Sequence, residues 1–270
     1  MSEKYQAHSF LAALARAIAA FALIAVHSGS MAAQEVAPQS GADPRIAEAI
    51  QRVSAGRIQQ TVEKLVSFQN RSTISAQDDE SIKAGRGIGA AREWIKSEFE
   101  RYSKDCGGCL EVKTDSFVEP PAERILKPTP IANVYAVLRG TDPEQAKRIV
   151  LVTGHYDSRN TDTFDTKELA PGANDDGSGT AVSLECARVL SQMKFPATII
   201  FLTVAGEEQG LYGSKHFAQM AKQQGWGLQA VLNNDIVGGD RSPQQDARVV
   251  RVFSEGLPIA ASEAEIRHIR

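Results

Sequence analysis

The chain has 270 residues, of which 42% are hydrophobic and 23% are charged, a composition that is ordinary for a soluble globular protein. Its net charge of −3 supplies neither a basic surface for nucleic acid nor a polybasic surface for a membrane, so we expect neither partner. The length is sufficient for one large domain or two small ones with a real core.

Residues 1–33 are predicted to be a secretory signal peptide. Lys4 and Arg16 precede the apolar run AIAAFALIAV, and the small residues that follow it suit signal peptidase. The run is too short to cross a bilayer as a stable helix, so no membrane span is expected after the signal is removed. The protein is therefore predicted to be secreted or periplasmic, with residues 34–44 as a flexible mature N-terminus. An ordinary N-terminal helix is the alternative interpretation.

Residues 45–270 are predicted to form a single α/β domain that begins with two helical segments. Apolar residues recur at helical spacing from Arg45 to about Phe68 and again from Ser81 to Tyr102.

The three cysteines fit an oxidising compartment. Cys106 and Cys109 lie in CGGC, where two glycines give the freedom that a local disulfide needs. A structural zinc site is disfavoured because it would need a second ligand pair, and none is visible nearby in the sequence. A thioredoxin-like redox motif is disfavoured because no predicted strand leads into CGGC. Cys186 lies within an apolar helical pattern, which predicts a buried free thiol.

The remaining elements alternate between strands and helices. Strands are predicted over residues 110–118, 131–140, 148–158, 197–206, 228–237 and 247–255, and helices over 180–193 and within 213–225. This alternation predicts a mixed, mostly parallel central sheet with helices on both faces.

Ionisable side chains are concentrated at the carboxyl ends of the predicted strands and in the loop before a helix. They are His155 and Asp157, Asp175 and Asp176, Glu207 and Glu208, and Asp235. Each alone is typical of a turn, a helix cap or a solvated loop. Together they lie at the sheet edge where α/β proteins bind ligands, and such acids repel one another without a cation. One imidazole among several carboxylates suits zinc, and Asp157 is placed to orient the His155 ring.

These segments together resemble the M28 family of zinc metallopeptidases. The segments that carry the resemblance are GHYDS, PGANDDGSG, AGEEQGLYGS and NNDIVG, within roughly residues 130–240. The resemblance implies a three-layer α/β/α fold with a mixed eight-stranded sheet and two zinc ions. It further implies that His155 and Asp235 bind one zinc, that Glu208 binds the other, and that Asp175 bridges both.

The resemblance also implies the chemistry of the site. Glu207 is expected to be the general base, Asp157 to orient His155, and the peptide bond after Asp175 to be cis. The implied reaction is hydrolysis of a peptide substrate, by an aminopeptidase in the first instance, through a water activated between two zinc ions. A carboxypeptidase or other amidohydrolase on the same scaffold, and a non-catalytic metal-binding relative, stay open. Glutaminyl cyclases of the family fit the two-zinc pattern less well.

The family takes a fifth ligand, a histidine, from a loop far beyond the fourth. Here the chain ends at Arg270, and the one histidine after Asp235 is His268, in the polar segment EAEIRHIR. We expect neither His268 nor His216 to be that ligand. The chain is therefore expected to be truncated relative to the family, with the zinc of Glu208 one protein ligand short.

Overall fold

The computed structural model describes residues 43–239. The predicted signal peptide, nearly all of the segment 34–44, the predicted strand at 247–255 and His268 lie outside the described residues. Residues 48–239 belong to one compact unit.

The helices, in chain order, are α1 (Pro44–Gln51), α2 (Ala55–Ser67), α3 (Asp79–Lys83), α4 (Gly87–Asp105), α5 (Gly177–Leu190) and α6 (Tyr212–Gln223). The strands are β1 (Leu110–Glu119), β2 (Thr129–Leu138), β3 (Arg148–His155), β4 (Thr198–Val204) and β5 (Gly227–Asn233). A short 3₁₀ turn, Gln145–Lys147, leads into β3. Within residues 43–239, every helix is too short or too polar to cross a bilayer.

The described strands form one five-stranded sheet in the order β1-β2-β4-β3-β5. β2 is antiparallel to both of its neighbours, whereas β3 is parallel to β4 and to β5. Four strands therefore run in one direction and only β2 opposes them. The prediction of a mixed, mostly parallel sheet is confirmed, with five strands in the described range against the eight that the resemblance implied.

The sheet has an apolar layer on each face because consecutive side chains of a buried strand point to opposite sides. On one face, Phe201 of β4 packs with Phe99 of α4 and Leu184 of α5. On the other face, Leu202 of β4 packs with Phe217 of α6. β4 is buried along its whole length, as expected for a strand covered on both sides. These contacts give the three-layer arrangement of helix, sheet and helix.

Both predicted N-terminal helices are interrupted, so the prediction of continuous segments was wrong. Ser54 has an extended backbone, and its Oγ accepts a hydrogen bond from the amide of Arg57, which caps the start of α2. The second segment is divided between α3 and α4 at Gly85, whose φ of 67° is disfavoured for residues with a side chain. A hydrophobic period can continue across such a break, which is why periodicity alone does not reveal it.

The structure contains the predicted disulfide between Cys106 and Cys109, just after α4. Cys186 on α5 is free, but it is only partly buried rather than fully buried. The last described strand also ends earlier than predicted, at Asn233, because the backbone leaves the β3 ladder there. Asp235 therefore lies on the turn that follows β5.

Candidate metal centre

The carboxyl ends of three neighbouring parallel strands bring the predicted site residues to one edge of the sheet. His155, the last residue of β3, is paired in register with Val204, the last residue of β4. On the other side of β3, Thr153 is paired with Asn233 at the end of β5. The segments that carry Glu207 and Asp235 therefore leave the sheet on either side of His155.

His155 is buried and its backbone is held from both sides. Its amide donates to Oδ2 of Asp176 at 2.9 Å, and its carbonyl accepts from Oγ1 of Thr180 at 2.9 Å. The ring Nδ1 bonds to the carbonyl oxygen of Asp157 at 3.1 Å and lies 3.4 Å from that residue's Oδ1. Because both neighbours of Nδ1 are acceptors, Nδ1 carries a proton and Nε2 faces the cluster. The predicted orienting role of Asp157 is thus shared by its backbone.

The Nε2 atom of His155 is buried and has no hydrogen-bond partner among the described residues. Three carboxylate oxygens surround it: Oδ1 of Asp175 at 3.2 Å, Oε2 of Glu207 at 3.9 Å and Oδ1 of Asp235 at 3.9 Å. Ligands about 2 Å from a tetrahedral zinc ion lie about 3.3 Å from one another. The donor set and its spacing therefore fit zinc, which takes imidazole nitrogen and carboxylate oxygen as ligands.

The structure brings three of the four predicted ligands together and leaves the fourth aside. Ligand atoms of His155, Asp175 and Asp235 all lie within 4.8 Å of one another. Glu208 lies outside this group in the described part of the chain, and its Oε2 instead accepts from Nε of Arg159 at 2.6 Å. The side chains of Asp175 and Asp235 are 51% and 41% exposed, so solvent reaches the cluster directly.

Asp176 caps the helix that supports the cluster. Its Oδ1 accepts from the amide of Gly179 at 2.8 Å, which fixes the start of α5 beside the end of β3. Burial raises the pKa of Asp176 to about 7, although His155 opposes the shift. The peptide bond between Asp175 and Asp176 is cis, as the resemblance implied.

Two glycines permit this close approach of helix and strand. A Cβ atom at Gly154 would lie 2.5 Å from the carbonyl carbon of Gly179. A Cβ atom at Gly179 would lie 2.1 Å from the carbonyl oxygen of Asn234 and 2.6 Å from a carboxylate oxygen of Asp176. Gly154 and Gly179 are therefore required by packing around the site.

The acidic surroundings change the protonation of the cluster. Burial lowers the pKa of His155, but the Asp157 and Asp175 carboxylates outweigh burial and raise it to about 12. Burial is also the main cause of the raised pKa of Glu207, whose side chain is 30% exposed. Without a metal ion, the imidazole ring of His155 therefore carries a proton on both nitrogens and is positively charged.

Thr73 is a site residue that the sequence analysis missed. Its Oγ1 donates to Oδ2 of Asp157 at 3.0 Å and accepts from the amide of Gly206 at 2.8 Å. The same carboxylate oxygen accepts from the amide of Glu208 at 3.2 Å. Asp157 therefore links the end of β3 to the turn that carries both glutamates. A hydroxyl in the polar run NRSTIS gives no sequence signal for this role.

Arg71, also missed, is fully buried beside this network. Its guanidinium donates to the carbonyl oxygens of Tyr156, Leu65, Pro171 and Gly172, at distances between 2.8 and 2.9 Å. Burial lowers the pKa of Arg71 to about 10, so the side chain remains charged at neutral pH. It joins α2 to the residue after His155 and to the loop that leads to Asp175.

His216, which was not expected to be the fifth ligand, lies on α6 and is partly buried. Its ring stacks on Phe117, with centroids 4.0 Å apart, and its Nε2 lies 3.1 Å from Oδ1 of Asp115. These partners are on β1, so His216 takes no part in the His155 cluster.

Zinc binding to the metal-free protein is expected to release a proton near neutral pH. Because the pKa of His155 is about 12, its ring is protonated there, and zinc coordinates only the neutral imidazole. Isothermal titration calorimetry of zinc binding, carried out in two buffers with different ionisation enthalpies, gives the number of protons released. His155→Gln should remove this release, and His216→Gln should leave it intact. Zinc binding without proton release would contradict the charge state assigned to His155.

Sequence comparison finds similarity to a peptidase family and to proteins described as zinc metalloproteases. Residues 133–252 match the model of peptidase family M28. A "Probable zinc metalloprotease" of Leptosphaeria maculans is 45% identical over 212 residues, which are 77% of this chain and 48% of that protein. The chain spans about half the length of the curated relatives it matches.

Structural comparison gives the same fold. The LapA aminopeptidase of Legionella pneumophila is 26% identical with a TM-score of 0.51, and the match covers 71% of this chain and 45% of that one. A glutaminyl cyclase of Fimbriiglobus ruber is 20% identical with a TM-score of 0.52, covering 68% and 61% of the two chains. At that identity the second likeness shows the fold alone.

Proposed function

Because residues 133–252 match the model of peptidase family M28 and the chain is 45% identical to a probable zinc metalloprotease, we propose that it is a zinc-dependent aminopeptidase that hydrolyses the N-terminal peptide bond of its substrates. One observation carries this proposal: Glu207 and two further carboxylates converge on the unpartnered Nε2 of His155. Hydrolysis at a metal centre needs ligands and an adjacent base, and this cluster offers both.

The first set of ligands in this proposal follows the geometry of the cluster, in which His155, Asp175 and Asp235 would hold one zinc ion. The second set follows the resemblance to the M28 family, in which Asp175 with Glu208 would hold a second ion. When bound, zinc would polarise the scissile carbonyl and make a water molecule more acidic. The half-exposed side chains of Asp175 and Asp235 leave room for substrate on the solvent side.

Glu207 is the proposed general base. Its Oε2 lies 3.9 Å from the Nε2 of His155, so the carboxylate is beside the metal position, and it lies outside the group of ligand atoms formed by His155, Asp175 and Asp235. It would take a proton from the attacking water while the water oxygen bonds to the carbonyl carbon. When the C–N bond breaks, Glu207 would return that proton to the departing amine. Burial raises the pKa of Glu207, which makes its carboxylate a stronger base than an exposed glutamate.

Asp157 and Thr73 have proposed positioning roles. Asp157 holds the Nδ1 side of the His155 ring, so Nε2 is directed at the metal position. Thr73 fixes the Asp157 carboxylate and, through Gly206, the start of the turn that carries Glu207. The ligand and the base are thereby held by a single hydrogen-bonded unit.

Two observations support aminopeptidase activity over other hydrolyses. The rim of the cluster is acidic, with Asp175, Glu207 and Asp235 facing the same volume, and it would attract the positive α-ammonium group of a peptide. LapA, whose fold matches, is an aminopeptidase.

Matched peptides with free and acetylated N-termini test the proposal. The zinc-loaded protein is expected to release the first residue of the free peptide and to leave the acetylated peptide intact. Release of the last residue from both peptides would instead identify a carboxypeptidase. Zinc binding with no cleavage of either peptide would identify a non-catalytic metal-binding relative. Glu207→Gln loaded with zinc serves as the control for contaminating peptidases.

We also propose that the protein acts outside the cytosol. The disulfide between Cys106 and Cys109 supports this location, since such bonds persist in oxidising compartments. The N-terminal sequence supports it independently, with basic residues before an apolar run and a small-residue exit. N-terminal sequencing of protein recovered from the medium or the periplasm tests the proposal, with cleavage near residue 33 as the expected result.

A further inference from the structure

Arg159 binds the carboxylate that the proposed second zinc position requires. Its Nε lies 2.6 Å from Oε2 of Glu208, whose side chain is 10% exposed, whereas that of Arg159 is 41% exposed. Arg124 also contacts Glu208, but it donates to the backbone carbonyl oxygen at 3.0 Å. Within residues 43–239, Arg159 is the one cation that forms a salt bridge with the Glu208 carboxylate.

The two proposed metal positions therefore differ in whether their protein ligand already has a polar partner. At the first position, the buried Nε2 of His155 has no hydrogen-bond partner, and a metal ion would supply one. At the second position, Glu208 already has a positive partner in the Arg159 guanidinium. Since Glu208 is largely buried near Asp175 and Asp157, this partner stabilises a carboxylate that would otherwise be costly.

We propose that Arg159 competes with the second zinc ion for Glu208 and thereby sets the occupancy of the second position. The inference rests on the proposed function, because it takes Glu208 as a zinc ligand. A guanidinium and a zinc ion bind the same carboxylate oxygens, and the two cations repel each other at close range. The second ion must displace Arg159 or bind beside it against this repulsion. In the described part of the chain, the His155 position has three gathered ligands, and no arginine or lysine forms a salt bridge with its carboxylates, so it fills at lower zinc concentration.

The Arg159 side chain can move away when zinc displaces it from Glu208. Its side chain is 41% exposed, and it lies on the loop that follows β3 rather than in the buried network of Thr73 and Arg71. Displacement therefore costs one charge-assisted hydrogen bond at a partly solvated pair and requires no repacking of the core.

Zinc titration of the metal-free 270-residue chain against a chromophoric chelator tests the proposal without reference to turnover. The wild-type chain is expected to show a tight step and a weaker step. Arg159→Gln should tighten the second step by about tenfold, the size expected for one charge-assisted hydrogen bond, and leave the first unchanged. Arg159→Lys keeps the charge but loses the planar fork. The zinc affinity of its second step should therefore lie between the affinities of the wild type and Arg159→Gln.

Two controls separate competition from a general change in the site. Arg124→Gln removes a contact to the backbone of Glu208 and should leave the second step unchanged. Glu208→Gln removes the carboxylate, and in that background Arg159→Gln should have no effect on zinc binding.

The outcomes are distinct. A second step that is unchanged or weaker in Arg159→Gln would overturn the proposal, because it would show that Arg159 supports the site or is irrelevant to it. A second step absent from both the wild type and Arg159→Gln would overturn it as well. Absence of the first step would overturn the proposed function, and this inference with it.

Discussion

Replacing Glu207 by glutamine is expected to lower kcat by about 10²–10⁴-fold while zinc remains bound. Glutamine has nearly the same size and shape as glutamate but cannot accept the proton of an attacking water. Glu207 lies 3.9 Å from Nε2 of His155 but outside the group of ligand atoms formed by His155, Asp175 and Asp235, so its loss should change proton transfer more than metal binding. The measurement is the rate of N-terminal residue release at saturating peptide, with zinc content determined by elemental analysis of the same samples.

The control for Glu207→Gln is Glu168→Gln, on the exposed loop before the cluster. This variant makes the same chemical change away from the metal position and should keep wild-type kcat. Unchanged activity in Glu207→Gln would remove Glu207 from the role of base. Lost activity together with lost zinc would instead make Glu207 a ligand rather than the base.

Replacing Asp175 by alanine is expected to abolish zinc binding at both proposed positions. Asp175 supplies the carboxylate oxygen nearest to Nε2 of His155, and it is the one proposed ligand shared between the two ions. Losing even an outer-shell partner of a metal ligand costs about 10–100-fold in affinity, and loss of a shared ligand should cost more. Elemental analysis after dialysis against a weak chelator gives the stoichiometry.

Asp162→Ala is the matched control for Asp175→Ala. Asp162 is an exposed aspartate in the same loop, and its carboxylate only accepts the amide of Phe164. It should keep the wild-type zinc content. Two retained zinc ions in Asp175→Ala would contradict the bridging role. One retained ion would show that the two positions do not share this ligand.

The location of the cluster could be predicted from the sequence because it depends on local patterns that occur several times along the chain. Buried strands are read from apolar runs, and the carboxyl ends of parallel strands necessarily meet at one edge of the sheet. His155, Glu207 and Asp235 each follow such a run, so their convergence follows from strand order alone. The alternation of strands and helices in the same region predicted the confirmed three-layer fold.

The partners of these residues could not be predicted because they depend on loop conformation. Thr73 is 84 residues from Asp157, and nothing in the sequence connects them. Arg159 follows GHYDS directly, yet only the path of the chain after Asp157 shows that it reaches Glu208. The prediction of continuous N-terminal helices was wrong for a related reason. Local capping at Ser54 and a left-handed backbone at Gly85 interrupt the helices, although the hydrophobic period continues across both positions.

The bond between Thr73 and Gly206 spans 133 residues, and this span has a consequence for how the protein becomes active. During synthesis, Thr73 and His155 emerge long before Asp235 completes the set that faces the imidazole. Closing such long loops costs entropy that no early contact repays, so the cluster forms late in folding. Tight zinc binding would accordingly report that the whole unit has folded, and the nascent chain would carry little affinity for the metal until then.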